Sequence, residues 1–251
     1  MPARHVVKAF LSLVRVTSRE GVVALAKRVL HGLAGVSLLS LIPLTAHGIE
    51  CELPSDLHRL EYEIQWMGEP VGELVIAFDR GDELLTVQNR VDVDARFLFH
   101  SLFRFTHVSE EQWREGSLIG FRGVTVDNGQ RREVRVSPRT TTFYVDGKGG
   151  PYEVPRDTPL LSAWCMASIS GPTVIEPTKG RIKALRARRL SSPSTRGGRQ
   201  QPLTSRVRIE GDLRAEIWYD SRGIVTFARF PVKGGTMGAL VLTAPYLDND
   251  K

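Results

Sequence analysis

Cysteine and histidine are scarce in this chain of 251 residues: there are two of the former and six of the latter, with only His58, His100 and His107 beyond residue 48. Metal centres built on thiolate or imidazole need several such donors at short spacing, and neither an HExxH helix nor a paired CxxC occurs. No metal site and no cofactor are expected. No serine sits in a GxSxG elbow, and phosphate-loop and dinucleotide fingerprints are missing, so the usual sequence grounds for a nucleophilic hydrolase or a nucleotide enzyme fall away. A membrane-spanning run is missing as well. The apolar segment Gly32 to Leu44 has 13 residues, where a bilayer span needs about 20.

That short run reads instead as the core of a secretory leader. Lys27, Arg28 and His31 precede it, and Ala46-His47-Gly48 sets small residues at the positions a signal peptidase reads, which predicts cleavage near Gly48/Ile49. Residues 1–48 are thus expected to be an N-terminal extension and signal peptide, its helix outside the domain, and residues 49–251 a single exported, periplasmic domain with no stable membrane span after cleavage. The first 26 residues are long and charged for a leader, which suggests a start codon assigned too far upstream. Removing the leader also removes most of the formal net charge of +6, because residues 1–48 hold six of the 34 basic but one of the 28 acidic residues. A balance near neutrality argues against nucleic acid as a partner.

Export places the two cysteines, Cys51 and Cys165, where oxidation is permitted. A disulfide closing so long a loop would restrict the unfolded chain by about 4 to 5 kcal/mol on the entropic account, whereas a buried unpaired Cys165 is the alternative. Glu50 immediately before Cys51 argues against lipidation.

From residue 58 onward the dominant period is two. Leu60, Tyr62, Ile64 and Trp66 alternate with charged and polar residues, as a strand with one wet face requires. Runs at 74–78, 85–93, 102–113, 118–126, 131–137 and 140–145 repeat the pattern, and Asn128-Gly129 is a strong hairpin turn because both residues tolerate positive φ. Later runs lie at 181–190, 205–209, 213–219, 224–230 and 237–242. The pattern predicts an all-β, mainly antiparallel fold: a single curved sheet, half-barrel or barrel of about 11 or 12 strands. One short helix is expected over Pro159 to Ile169, and a flexible loop over 191–202, where Pro, Gly and Ser dominate.

Candidate chemistry is sparse. His107 and Glu111 could act as base and orienting group, but His107 falls in step with Phe103 and Phe105 on one strand face, so a hydrogen-bonded core histidine is the expectation. Asp92 and Asp94 at i, i+2 supply too few oxygens for a cation site. The most unusual composition is basic: ten Lys or Arg, Arg181, Lys183, Arg186, Arg188 and Arg189 among them, occupy residues 179–208 without one acid. This run either attracts anionic lipid or lipopolysaccharide phosphates or forms a solvated sheet face balanced by the acid-rich strands near 61–94.

At a further set of positions the chain resembles a known family. Tyr62 with Gly68 and Gly72, the run His107, Glu111, Trp113, Gly116 and Leu118, then Thr125, Asp127, Asn128 and Gly129 carry the likeness. Pro159, Ser162, Trp164, Gly180, Gly211-Asp212-Leu213 and Trp218-Tyr219-Asp220 continue it. They match a bacterial exported family known only as a domain of unknown function, DUF6134. The stretch around Ser191 to Gln201 departs from it, where the family has a short Gly turn. The resemblance implies a mostly antiparallel β protein and transfers no catalytic role.

The reading that follows is an exported, non-catalytic β domain whose curved sheet binds a lipid or other apolar small molecule. The candidate lining is Tyr62, Trp66, Phe103, Phe105, His107, Glu111, Trp113, Trp164 and Trp218. The alternative is an envelope assembly or structural protein acting through a protein partner, with a hydrolase built on His107 and Glu111 a third possibility.

Overall fold

The computed structural model describes residues 53–97, 100–190, 205–232 and 235–247. The predicted leader, Cys51 and the loop expected over 191–202 lie outside the described residues.

Alternation of apolar and polar side chains is realised as fourteen strands among those residues. In chain order they are β1 (Leu57–Trp66), β2 (Glu69–Arg80), β3 (Leu85–Phe97), β4 (His100–Arg114), β5 (Ser117–Asp127), β6 (Gln130–Pro138) and β7 (Thr142–Asp146). After β8 (Tyr152–Pro155) and β9 (Thr173–Glu176) come β10 (Arg181–Leu190), β11 (Ser205–Gly211), β12 (Ala215–Tyr219), β13 (Val225–Pro231) and β14 (Met237–Leu247). They form one sheet in the order 8-7-6-5-4-3-2-1-14-13-12-11-10-9, in which every neighbouring pair is antiparallel. Two meanders are thus joined through β1 and β14.

Turn chemistry explains the tight corners. Met67-Gly68, Glu115-Gly116 and Asn128-Gly129 each place two successive residues at positive φ, the backbone that a two-residue hairpin between right-twisted strands requires. At the last of these, Asn128 Oδ1 accepts from the Arg104 N–H at 3.1 Å and the Asn128 N–H donates to the Arg104 carbonyl at 2.9 Å. The tip of the β5–β6 hairpin is thereby pinned to β4.

Two expectations are corrected. The strand count is fourteen rather than 11 or 12, because β8 and β9 are four-residue strands, too short to show a period, and each is flanked by proline. Nor is Pro159 to Ile169 a helix, since only Met166–Ile169 takes a single 3-10 turn. Its first residues are held by a strand instead: Ile175 N–H donates to the Pro159 carbonyl at 2.8 Å, and Leu161 N–H to the Ile175 carbonyl at 3.0 Å. Backbone groups committed to β9 are not available for helical bonds.

This strap lies at the seam between the sheet's two free ends. The sheet is not closed into a barrel, because β8 and β9 do not pair. Other contacts draw the ends together: Lys148 N–H donates to the Lys179 carbonyl at 2.8 Å, and the Tyr152 hydroxyl to the Gly180 carbonyl at 2.6 Å. Gly147 permits the approach, since a Cβ there would meet the Lys179 carbonyl oxygen at 2.6 Å. Inside the sheet, Leu60, Ile76, Val87, Phe103, Phe105, Phe230 and Trp164 are all buried in one continuous core. Trp164, delivered by the strap, meets Phe78 and Trp113 edge to face with centroids at 5.8 and 5.4 Å.

Candidate functional site

Register across β3, β4 and β5 aligns the inward residues in rows. Val87, Glu111 and Phe121 share one; Asn89, Ser109 and Gly123 the next; then Val91, His107 and Thr125; then Val93, Phe105 and Asp127. Most of the sheet's inner face is apolar, but this corner carries a polar stripe. Gly123 leaves room for it, because a Cβ would lie 2.8 Å from Phe121 Cζ and 3.0 Å from His107 Cε1.

Glu111 is the centre of the stripe. It is 3 % exposed and accepts four hydrogen bonds, none from a cation. Asn89 Nδ2 at 3.1 Å and Ser162 Oγ at 2.9 Å donate to Oε1, while the indole N–H groups of Trp113 at 3.0 Å and Trp164 at 3.2 Å donate to Oε2. Burial pushes its pKa up to about 7, against the downward pull of Ser162, Trp113, Trp164 and Asn89. The carboxyl is thus a weaker acid than an exposed glutamate. Two of those donors come from the strap, so Glu111 also fastens the seam from inside.

His107 lies two rows further along the same face, beyond Ser109, and its ring nitrogen bonds Thr125 rather than Glu111. Its Nδ1 shares a 2.8 Å hydrogen bond with Thr125 Oγ1, and Thr125 donates to the Thr178 carbonyl at 3.5 Å. The ring is 2 % exposed, and desolvation lowers its pKa to about 4, so it is neutral in the folded protein at neutral pH. Glu176, wholly buried beside Thr178, accepts from the Thr178 N–H and hydroxyl through Oε1 while Oε2 has no hydrogen-bond partner. Burial raises its pKa, with Lys179 pulling the other way. Asp127, also buried, receives Asn128 Nδ2 at 3.0 Å and pairs with Arg132 at 3.3 Å.

The other predicted residues are spread over the fold. Tyr62, Phe103, Phe105, Trp113 and Trp164 are core residues; the Tyr62 hydroxyl has no hydrogen-bond partner among the described residues, and burial, then Tyr219 and Asp220, raise its pKa. Trp66 is half-buried near the β14 end, donating to Thr236 Oγ1 at 3.0 Å. Trp218 faces outward on β12. The basic residues Arg181, Lys183, Arg186, Arg188 and Arg189 all lie on β10, where Arg186 and Arg188 project to the outer face and the others have the opposite parity. Asn89, Ser162, Thr178 and Glu176 were not singled out as polar partners of the site. Ser162 was visible only as a residue carrying the family likeness.

Two open grooves mark the outer face. One is lined by Glu61, Glu63, Glu73, Asp92 and Asp94 around Val71 and Val75. The other is lined by Val75, Ala77, Val108 and Val124 together with Arg59, Gln88, Asn89, Arg90, Ser109, Glu110 and Arg122. Among the described residues, no three His, Cys, Asp or Glu side chains group as a metal-ligand set.

Residues 62–239 match the family model described as a domain of unknown function, DUF6134, and the chain belongs to that family. No curated protein matches it. Among solved structures it is similar to the crystal structure of a β-barrel-like protein of domain of unknown function DUF1849 from Brucella abortus. The two are 12 % identical, with a TM-score of 0.53 over 78 % of this chain and 99 % of that one. That likeness concerns the fold.

Proposed function

We propose that the protein is an exported, non-catalytic component of the bacterial envelope that works by contact at the outer face of its sheet. What carries this reading is the fate of the reactive groups inside: Glu111 and His107 are buried and consumed by hydrogen bonds with other described residues of the packed interior. The leader of residues 27–48 supplies the address. Expression of the full chain with a C-terminal tag, followed by fractionation and N-terminal sequencing, is expected to yield a periplasmic species starting at or near Ile49. An uncleaved, cytoplasmic product would sink the proposal.

A disulfide between Cys51 and Cys165 belongs to the same reading. Cys165 is buried directly after Trp164 in the strap, so the bond would tether the start of the mature chain to the seam. Peptide mapping without reductant should recover the linked pair; two alkylatable thiols in periplasmic material would exclude it.

One observation favours a second reading, an apolar ligand held within the sheet. The strap after Pro159 meets β9 through one isolated bridge, Leu160 with Ile175, rather than through a strand pair, and its other fastenings are the side-chain bonds of Ser162 and Trp164 to Glu111, so displacing it would expose the aromatic cluster of Trp113, Trp164 and Phe78. Native mass spectrometry of periplasmic protein, with organic extraction, is expected to release a lipid if this holds. Protein of bare mass would end it.

A further inference from the structure

We propose that the outer face of β10–β14 is a docking surface for the anionic headgroup layer of a lipid membrane. This deepens the contact reading above and rests on it. Strand register sets two rows side by side there. One runs Arg188, Arg208, Glu216, Arg229 across β10 to β13; the next runs Leu190, Arg206, Trp218, Phe227, Val241 across β10 to β14. Arg186 opposite Glu210 extends the charge along the strands. Five arginines therefore share this face with two carboxylates.

Three of the arginines share a single acid. Glu216 binds Arg206, Arg208 and Arg229 together, with Arg208 Nη2 at 2.7 Å and Arg229 Nη2 at 2.6 Å, so one negative charge orients three positive ones. The Trp218 ring lies between two of them, with the guanidinium carbons of Arg206 and Arg229 4.9 and 5.5 Å from its centroid. Arg188 reaches Glu210 only at 4.0 Å. Arg208 and Arg229 are thus fixed in position and about half exposed, with Arg188 exposed beside them, while Arg206 is mostly buried.

Charge complementarity calls for an anionic partner, and the neighbouring row narrows its kind. Leu190, Trp218, Phe227 and Val241 are half-buried and span four strand spacings, roughly 19 Å. A membrane surface offers a phosphate layer over an apolar one along such a flat line. Arginine stems extend toward phosphates while an indole rests at the interface. Cationic side chains at an anionic surface contribute about fivefold each to partitioning, and the attraction is screened over about 8 Å at physiological salt.

The test is co-sedimentation of the mature protein with phosphatidylcholine vesicles and with vesicles containing phosphatidylglycerol. Binding is expected only to the latter, falling with added salt. An Arg188→Gln, Arg208→Gln, Arg229→Gln variant should lose about a hundredfold in partition coefficient. Arg131→Gln with Arg135→Gln, on β6, should lose far less. Trp218 fluorescence should be quenched by brominated lipid, and this component should vanish in Trp218→Phe while binding persists. If the triple variant misfolds by circular dichroism, the salt dependence and Trp218 quenching of the unaltered protein decide. Absence of phosphatidylglycerol binding, full binding by a folded triple variant, or equal affinity for poly-glutamate without Trp218 quenching would overturn the proposal. Failure of export in the fractionation experiment would be a separate result, because the vesicle assay uses purified protein.

Discussion

Two glutamates in this sheet collect hydrogen bonds in number and end with opposite acid strengths. Glu111, on the inner face of β4, is ringed by two indoles, a hydroxyl and an amide, all neutral, and its pKa rises to about 7. Glu216, on the outer face of β12, is 13 % exposed; burial pushes its pKa upward, but the three arginines together outweigh that and bring it down to about 2. Hydrogen bonds alone do not compensate a carboxylate for lost water, whereas fixed cations do. The inner face has been built for packing, with one proton left adjustable, and the outer face for holding charge in place.

The largest effect expected from breaking this contrast comes from Glu111→Ala. It would strand the buried Trp113 and Trp164 indole N–H groups, remove the acceptor of Ser162 and one of the two acceptors of Asn89, and leave a cavity. Each buried donor left unpaired costs about 1 to 3 kcal/mol, and the cavity adds to that, so a loss of about 4 kcal/mol or complete unfolding is predicted. Urea denaturation measures it. A loss under about 1 kcal/mol would mean that the four bonds do not hold the seam.

Next in size is a pair of opposed pH effects. Glu111 has its pKa raised from the ordinary carboxylate range to about 7, so the folded state keeps its proton where the unfolded chain has released it; this contribution falls as pH rises from about 4.5 to 7. His107 has its pKa lowered to about 4, so its contribution is complete above about 6.5 and is lost as pH falls through 4. Each is worth about 3 kcal/mol at most, and between pH about 4.5 and 6.5 they cancel. Relative to the unaltered protein, His107→Gln should gain stability on acidification through that window and Glu111→Gln should lose it. Chemical denaturation midpoints at constant ionic strength provide the check, and parallel profiles for all three proteins would refute the opposition.

Gly123→Ala sharpens the same corner at lower amplitude. The added methyl would crowd Phe121 Cζ at 2.8 Å and His107 Cε1 at 3.0 Å, both ends of ring side chains, for about 1 to 3 kcal/mol. Displacement of His107 from Thr125 should appear as a changed imidazole resonance, and an unmoved ring with unchanged stability would show that the corner has slack.

These residues also show where sequence reading stops. The meander was legible because a half-wet strand must alternate, and the Asn128-Gly129 hairpin because only certain residues accept positive φ. β8 and β9 were not legible, being too short to carry a period, and the apolar run at 159–169 resembled a helix because periodicity does not record that Pro159 and Leu161 bond to a strand. In the site, His107 and Glu111 were visible as ionisable residues in step on one strand. That Ser162 and Trp164 donate to Glu111 was not legible, since both come from more than fifty residues away, and although Trp164 was a candidate, nothing in its spacing tied it to that carboxylate. Spacing along a chain reports which face a residue takes, and only the sheet's closure brings that face opposite another.

The smallest expected effect is at the other pole of the comparison. Glu216→Gln removes the acceptor shared by Arg206, Arg208 and Arg229, but Arg208 and Arg229 are about half exposed and the glutamine oxygen still accepts from the more buried Arg206, so solvent and amide take over most of what the carboxylate supplied. A loss of up to about 1 kcal/mol is predicted, smaller in high salt. Because the Glu216 pKa is depressed, its share of stability is complete above the ordinary carboxylate range and disappears as pH falls toward 2, where the variant and the parent should converge. What the substitution changes more is the face itself: three arginines lose a common anchor and gain a net positive charge, so order around Trp218 should fall while attraction to anions rises. A thermal midpoint nearly unchanged, with a Trp218 anisotropy decay that becomes faster, would separate a carboxylate that organises a surface from one that, like Glu111, holds a core.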